Sequence, residues 1–139
     1  MTSPAAPHAA PCPCGGPGSV ADCCGPYLIG DRLAPDPESL MRSRYTAFAF
    51  GTSEALEYLV ATHHPDHRAP DLREGLRASL AGVDAWEQLR VNFAKVDGDR
   101  GTVEFVATYR VGNEQGELRE RSEFVRERGR WLYTEGVVG

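Results

Sequence analysis

The stretch WEQLRVNFAKVDGDRGTVEFVATYRV, residues 86–111, decides the fold. Leu89, Val91 and Phe93 alternate with Arg90, Asn92 and Ala94. After the Asp97-Gly98-Asp99 turn, Val103, Phe105, Ala107, Tyr109 and Val111 alternate with Thr102, Glu104, Thr108 and Arg110. A period of two belongs to a half-buried strand, whose successive side chains point to opposite faces. Two such runs joined by a short glycine-containing turn form an antiparallel hairpin. A turn over Gly112 to Gly116 then leads to a third strand, and Arg128-Gly129 to a fourth ending at Val138. Phe93, Phe105, Phe124 and Trp131 each sit on a strand position able to face inward, and are expected to share one core.

Upstream of Trp86 the period is helical. Asp36-Pro37-Glu38 supplies an N-cap, a proline at the first helical position and an acid in the first turn. The helix that follows carries Met41, Tyr45 and Phe48 on one side, Leu40 and Ala47 on a neighbouring strip, and ends at Gly51. Thr52 or Ser53 caps a second helix, in which Leu56, Leu59, Val60 and His63 recur until Pro65 stops it. A third follows Pro70, with Leu72, Leu76 and Leu80 four apart, Gly75 inside, and Gly82 closing it. Three helices followed by a four-strand meander is an α+β layout, with helices covering one face of a curved sheet.

Composition narrows the function classes. A chain of 139 residues is one domain's length, and its net charge of −5 argues against a nucleic-acid-binding footprint. No apolar run approaches the ~18 to 20 residues that span a bilayer. Met1 to Pro11 holds no Lys or Arg and no apolar stretch, so it does not read as a secretory signal, and the expected location is cytoplasmic. Only Lys95 among the 15 basic residues is a lysine, a bias that fits a GC-rich genome better than a specialised use of arginine.

Residues 1–11 are small, Pro-rich and aperiodic, and read as a disordered tail. Residues 12–36 hold every cysteine, are dense in Gly and Pro, and cannot build an apolar core, so something else must order them. Residues 37–139 hold the helices and the meander. The cysteines are Cys12, Cys14, Cys23 and Cys24. Sulfurs about 2.3 Å from a tetrahedral zinc lie roughly 3.8 Å apart, and two tight pairs joined by one short loop reach that geometry with little chain entropy to lose. Four thiolates would close the site, which makes one zinc structural and not catalytic. Crossed or nested disulfides between the two pairs are the alternative, disfavoured in a reducing compartment, and redox or other metal chemistry is a third reading. His8 is too far out in sequence to be needed as a ligand. Removing the metal is expected to unfold residues 12 to about 30 and leave the remainder folded.

Cys-Pro-Cys-Gly followed by Cys23-Cys24 resembles the SEC-C zinc motif known from the C-terminal tail of the SecA translocase ATPase. Leu40-Met41-Arg42-Ser43-Arg44-Tyr45, Tyr58-Leu59, Thr62 with His64-Pro65, and Glu120-Arg121-Ser122 with Phe124, Trp131 and Tyr133 resemble the bacterial YchJ-type family. Together the likeness runs over about residues 11–136. It implies a SEC-C module followed by a domain similar to nuclear transport factor 2, a cone-shaped, cystatin-like α+β roll, and no established activity. Many relatives carry a second such motif at the C-terminus, whereas this chain ends at Gly139, and the usual loop lysines are absent from Gly15 to Ser19.

Between Met1 and Asp31 there is no Lys or Arg to ease the net −2 charge of a zinc–tetrathiolate cluster. Arg32, Arg42 and Arg44 are the nearest cations in sequence, and at least one is expected against the knuckle. In His63-His64-Pro65-Asp66-His67 the adjacent histidines would point about 100° apart, unlike an i, i+4 metal pair. A packed His63 with exposed His64 and His67 is expected.

The third strand is polar on both faces, so it is either an edge or the lining of a cavity, with Glu120 and Ser122 facing inward. Tyr45, His64, Trp86, Trp131 and Tyr133 are the other candidate pocket residues. These features favour a binding or adaptor module that contacts a protein through knuckle or roll. The translation or export machinery is the candidate partner by analogy with SecA. An enzyme using Glu120 and His64 as acid and base is the alternative, since no nucleophile motif surrounds Ser122.

Overall fold

A computed structural model of the chain describes residues 10–139. The expected tail and His8 lie outside the described residues, except for Ala10 and Pro11. These two belong to the knuckle: Pro11 bridges Ser19, and the Val20 amide donates to the Ala10 carbonyl at 2.9 Å. A short helix α1 (Gly25–Leu28) opens directly after Cys24. Three longer helices follow, α2 (Pro37–Phe50), α3 (Ser53–Ala61) and α4 (Leu72–Ala81). The Asp36 carboxylate accepts from the Ser39 amide at 2.7 Å and the Thr52 hydroxyl from the Ala55 amide at 3.1 Å, which satisfies an orphan donor at the start of α2 and of α3.

Strands β1 (Ala85–Asp97), β2 (Arg100–Val111), β3 (Glu114–Glu127) and β4 (Arg130–Val138) form one open antiparallel sheet in sequence order. The turn between β2 and β3 is only Gly112-Asn113, tighter than the expected Gly112 to Gly116. β3 is an inner strand, so its polar residues are not those of a sheet edge.

The β1–β2 register corrects one core assignment. Leu89 pairs with Ala107 and Val91 with Phe105, but Phe93 then pairs with Glu104 and Ala94 with Val103. A bulge at Asn92 therefore swaps the faces of β1, and Phe93, expected in the core, is 46% exposed. Phe124 and Trp131 are buried, and Phe105 packs partly buried against them.

The core also erases a boundary. Leu40, Met41 and Tyr45 of α2 pack with Leu89, Val103, Ala107, Phe124 and Trp131 of the sheet, in one cluster with Cys12, Cys14, Val20 and Cys24. The knuckle and the sheet thus share a single core, so the split at residues 36/37 marks a change in composition and not in packing. A smaller cluster of Ala47, Ala55, Leu56, Leu59 and Leu76 joins α2, α3 and α4. α3 ends at Ala61, and His63, expected inside the helix, instead forms a parallel bridge with Tyr133 of β4.

Candidate functional site

The four cysteine sulfurs lie within 4.8 Å of one another, with Cys14 and Cys23 Sγ 3.5 Å apart. All four are free thiols, which removes the disulfide alternative. Cys12, Cys14 and Cys24 are buried, and Cys23 is half-buried. The backbone builds this cluster locally. The Cys12 amide donates to the Gly18 carbonyl at 3.3 Å, the Cys23 amide to the Val20 carbonyl at 3.1 Å, and the Tyr27 amide to the Cys24 carbonyl at 3.0 Å. The Gly16 amide points at Cys14 Sγ at 3.4 Å, and a Cβ at Gly16 would lie 2.9 Å from Cys23 Sγ, so only glycine lets this amide reach the sulfurs.

The four sulfurs are electrostatically coupled. Hydrogen bonds from Cys14 and Cys24 hold the Cys12 thiol far below its ordinary value. Burial, and then the neighbouring Cys14, push Cys23 up to about 12, and the bonds Cys24 makes to Cys12 and Cys14 drive it upward as well. A divalent metal with thiophilic character would neutralise such a set of thiolates. Sulfur spacing, donor set and burial fit a closed tetrahedral site.

Of the three arginines, at least one of which was expected against the cluster, Arg42 reaches it. Its Nη1 donates to the Cys14 carbonyl at 2.7 Å while its Nε pairs with Glu38 at 3.0 Å. Arg32 is exposed on a groove between α1, α2 and α3. Arg44, two positions and about 200° around the helix from Arg42, turns away from the cysteines. Its Nη1 donates to the Leu59 carbonyl at 2.9 Å and to Thr62 Oγ1 at 2.7 Å. Thr46 is a neighbour the sequence reading missed: its hydroxyl sits 3.7 Å from Cys12 Sγ.

Between the helices and the sheet lies a cavity of about 690 Å³. Of the expected pocket residues, Tyr45, Trp86, Glu120, Ser122 and Tyr133 line it. Trp131 does not; it is buried in the core, with Arg126 stacked over its ring. His64 does not either, and it is buried where exposure was expected. Its Nδ1 accepts from the Asp66 amide at 3.1 Å, which leaves Nε2–H to donate to Glu127 at 2.8 Å. The acid–base pair of His64 and Glu120 is therefore not assembled.

His63 lines the cavity in place of His64. Its ring meets Tyr133 edge-on with 5.1 Å between centroids, and its Nε2–H donates to the His67 carbonyl at 2.9 Å. Nδ1 is then a buried acceptor without a partner among the described residues, and so is the Tyr45 hydroxyl without one. Burial, and then the positive Arg44, hold His63 below its usual value. Glu120 accepts from the Ser122 hydroxyl at 2.7 Å. Gly136 makes room for that carboxylate, since a Cβ there would strike Glu120 Oε2 and crowd the Tyr133 hydroxyl. Burial, and then Glu120, push Tyr133 up to about 12. The remaining walls are apolar, with Met41, Phe48, Leu76, Phe105 and Leu118 among them.

The signal for Arg44 was present in the sequence. It stands four residues after Leu40 and three before Ala47, on the apolar strip of α2, where a solvated arginine has no place. No helix among the described residues is long and apolar enough to cross a membrane.

Residues 36–136 match the family described as the middle NTF2-like domain of YchJ. The chain is 40% identical to a SEC-C motif containing protein from Rhodopseudomonas palustris of known solution structure, with a TM-score of 0.82 over 92% of this chain and 98% of that one. A second SEC-C motif containing protein, from Psychrobacter arcticus, matches at 26% identity and a TM-score of 0.74 over 92% of this chain and 82% of that one. A protein from Thiobacillus denitrificans described as a calcium/calmodulin-dependent protein kinase type II association domain shares the fold, at 16% identity and a TM-score of 0.64 over 77% of this chain and 96% of that one.

Proposed function

The chain belongs to the YchJ family, with a SEC-C cysteine motif ahead of an NTF2-like domain, and from that premise we propose that it is a zinc-stapled small-molecule-binding protein. Cys12, Cys14, Cys23 and Cys24 would hold one zinc, which supplies cross-linking and charge neutralisation and leaves no open coordination position for chemistry. The roll would do the binding. The observation that carries this reading is the 690 Å³ cavity, inside the size range of small-molecule sites, with apolar walls and a few polar groups gathered at Arg44, His63, Glu120, Ser122 and Tyr133. Glu120 bonds the Ser122 hydroxyl, but His63 bonds the His67 carbonyl and neither of these two, so no relay of nucleophile, base and orienting group is assembled and binding is favoured over turnover.

A fragment screen by NMR on the zinc-loaded protein tests the reading. Expected hits perturb Trp86, Tyr109 and Tyr133 together, and Ala107→Trp, which fills the cavity from the sheet side, removes them. Hits that survive that substitution would overturn the proposal.

A protein-adaptor role is the second reading. Ile29 and Leu33 are 73% and 60% exposed, beside a groove of about 400 Å³ bounded by Leu40, Tyr58 and Trp131. Such a patch favours a protein partner. The translation or export machinery remains the candidate by motif analogy, and capture of a partner by the parent chain but not by Ile29→Ser/Leu33→Ser would support it.

A further inference from the structure

Arg44 stands in the cavity wall as a cation without an ion pair among the described residues. Both of its hydrogen bonds among the described residues leave from Nη1 and end on neutral oxygens, the Leu59 carbonyl and Thr62 Oγ1. Its guanidinium carbon lies 4.5 Å from the centroid of the Tyr133 ring. Glu120, the acid of the same cavity, acts on it through its field and accepts from Ser122. The bland account is that Arg44 caps the C-terminal end of α3, where carbonyls gather negative charge.

That account covers one edge of the guanidinium only. The Nε and Nη2 edge has no hydrogen bond among the described residues, and Arg44 lines the cavity. A buried cation in low dielectric is costly unless a counter-charge meets it. Burial lowers Arg44 to about 10, which leaves it charged at neutral pH.

We propose that the cavity takes an organic carboxylate, its apolar or aromatic body against Met41, Phe48, Leu76 and Trp86 and its carboxylate on the open edge of Arg44. This rests on the small-molecule reading above and adds the ligand's charge class. A planar carboxylate matches the paired N–H groups of a guanidinium edge, and the pairing is strongest where water is excluded. Glu120 opposes such a ligand through its own charge, which gives the test a second handle on the cavity.

The probes are three naphthalenes that differ only in the head group: naphthaleneacetate, naphthylethanol and naphthylethylamine. Each is titrated by calorimetry into the intact zinc-loaded protein at neutral pH. The acid is expected to bind about tenfold or more tightly than the alcohol, and the amine most weakly. Glu120→Gln is expected to strengthen binding of the acid, and Arg44→Lys to bring the acid back towards the alcohol while leaving the alcohol unchanged.

If Arg44→Lys does not fold, the ranking in the parent protein and the direction of the Glu120→Gln effect still decide. A preference for the alcohol or the amine, or weaker acid binding in Glu120→Gln, overturns the carboxylate assignment and leaves the cavity reading standing. Failure of all three probes to bind overturns both.

Discussion

The knuckle and the roll reach order by opposite routes. In the knuckle, four donors within thirteen residues of chain converge on a point, held by turns whose hydrogen bonds span few residues. In the roll, strands far apart in sequence pair along a four-strand meander, and α2 covers it through a continuous apolar core. A metal-ordered segment stands or falls with a few ligands, whereas a packed core spreads its stability over many side chains. Here the two are not independent, because Cys12, Cys14 and Cys24 are themselves part of the core that holds Met41, Tyr45 and Trp131.

The largest expected effect tests that coupling. Cys24→Ser should abolish metal binding and, if the metal is the proposed zinc, lower stability by roughly 5 kcal/mol or more, given what structural zinc contributes to small domains. The loss should reach the tryptophan and tyrosine signals of the roll, not only residues 10–30. Elemental analysis with urea unfolding checks it. A roll that keeps its unfolding midpoint once the metal is gone would show that the shared packing carries little energy, as the sequence alone suggests.

Within the roll, Phe124→Ala should cost about 3–5 kcal/mol, since its ring is almost wholly buried. Phe93→Ala should cost less than about 1 kcal/mol, because the bulge turns Phe93 to solvent. Equal costs at the two sites would mean that the register across Asn92 is wrong.

This pair of residues marks where the sequence stops being legible. Period two over residues 86–111 reveals two strands and their turn, and it reads the same with or without a bulge. Only the partner strand shows that Phe93 faces the side of Glu104 while Ala94 joins Val103. The histidine reading failed at His64 for a related reason, whereas His63 is buried and His67 exposed as expected. Helical spacing placed His63 inside and His64 outside, but the helix stops at Ala61 and β4 claims His63 through Tyr133. The cysteine cluster was legible because its geometry is local: C-P-C and C-C across one short loop leave few ways to arrange four sulfurs. The cavity was legible only in outline. Polar positions on β3 announced it, but its wall residues from α2, from α4 and from His63 beyond α3 depend on long-range packing.

A smaller effect probes the seam between the two regions. Arg42→Ala removes the guanidinium that bonds the Cys14 carbonyl and should destabilise the protein by about 1–2 kcal/mol. It should also weaken affinity for the metal by roughly tenfold, the equivalent of about 1.4 kcal/mol. Arg32→Ala should change neither, since Arg32 is exposed on the groove between α1, α2 and α3. Competition with a chromophoric chelator measures both variants, and equal affinities would locate the compensation in the Gly16 amide alone.

The smallest effect separates the regions by pH. Burial and the positive Arg44 depress the pKa of His63 in the folded state below its ordinary 6.5. As pH falls through 6.5 the unfolded chain therefore takes up a proton that the folded chain refuses, and stability declines. The decline ends only where the folded state also protonates, at the lower folded pKa. One proton sets a ceiling of about 1.4 kcal/mol per pH unit on the slope. The knuckle loses stability in acid as well, when its sulfurs are protonated and the metal leaves, so the total slope cannot identify His63. The difference between parent and His63→Asn isolates it, because both carry the same cysteines. His63→Asn is expected to be less stable at pH 8, having lost the edge contact with Tyr133, yet to lose less on going from pH 7 to 5. Chemical unfolding at each pH measures that difference, and parallel curves for the two proteins would mean that His63 takes up its proton in the folded cavity as readily as in the open chain.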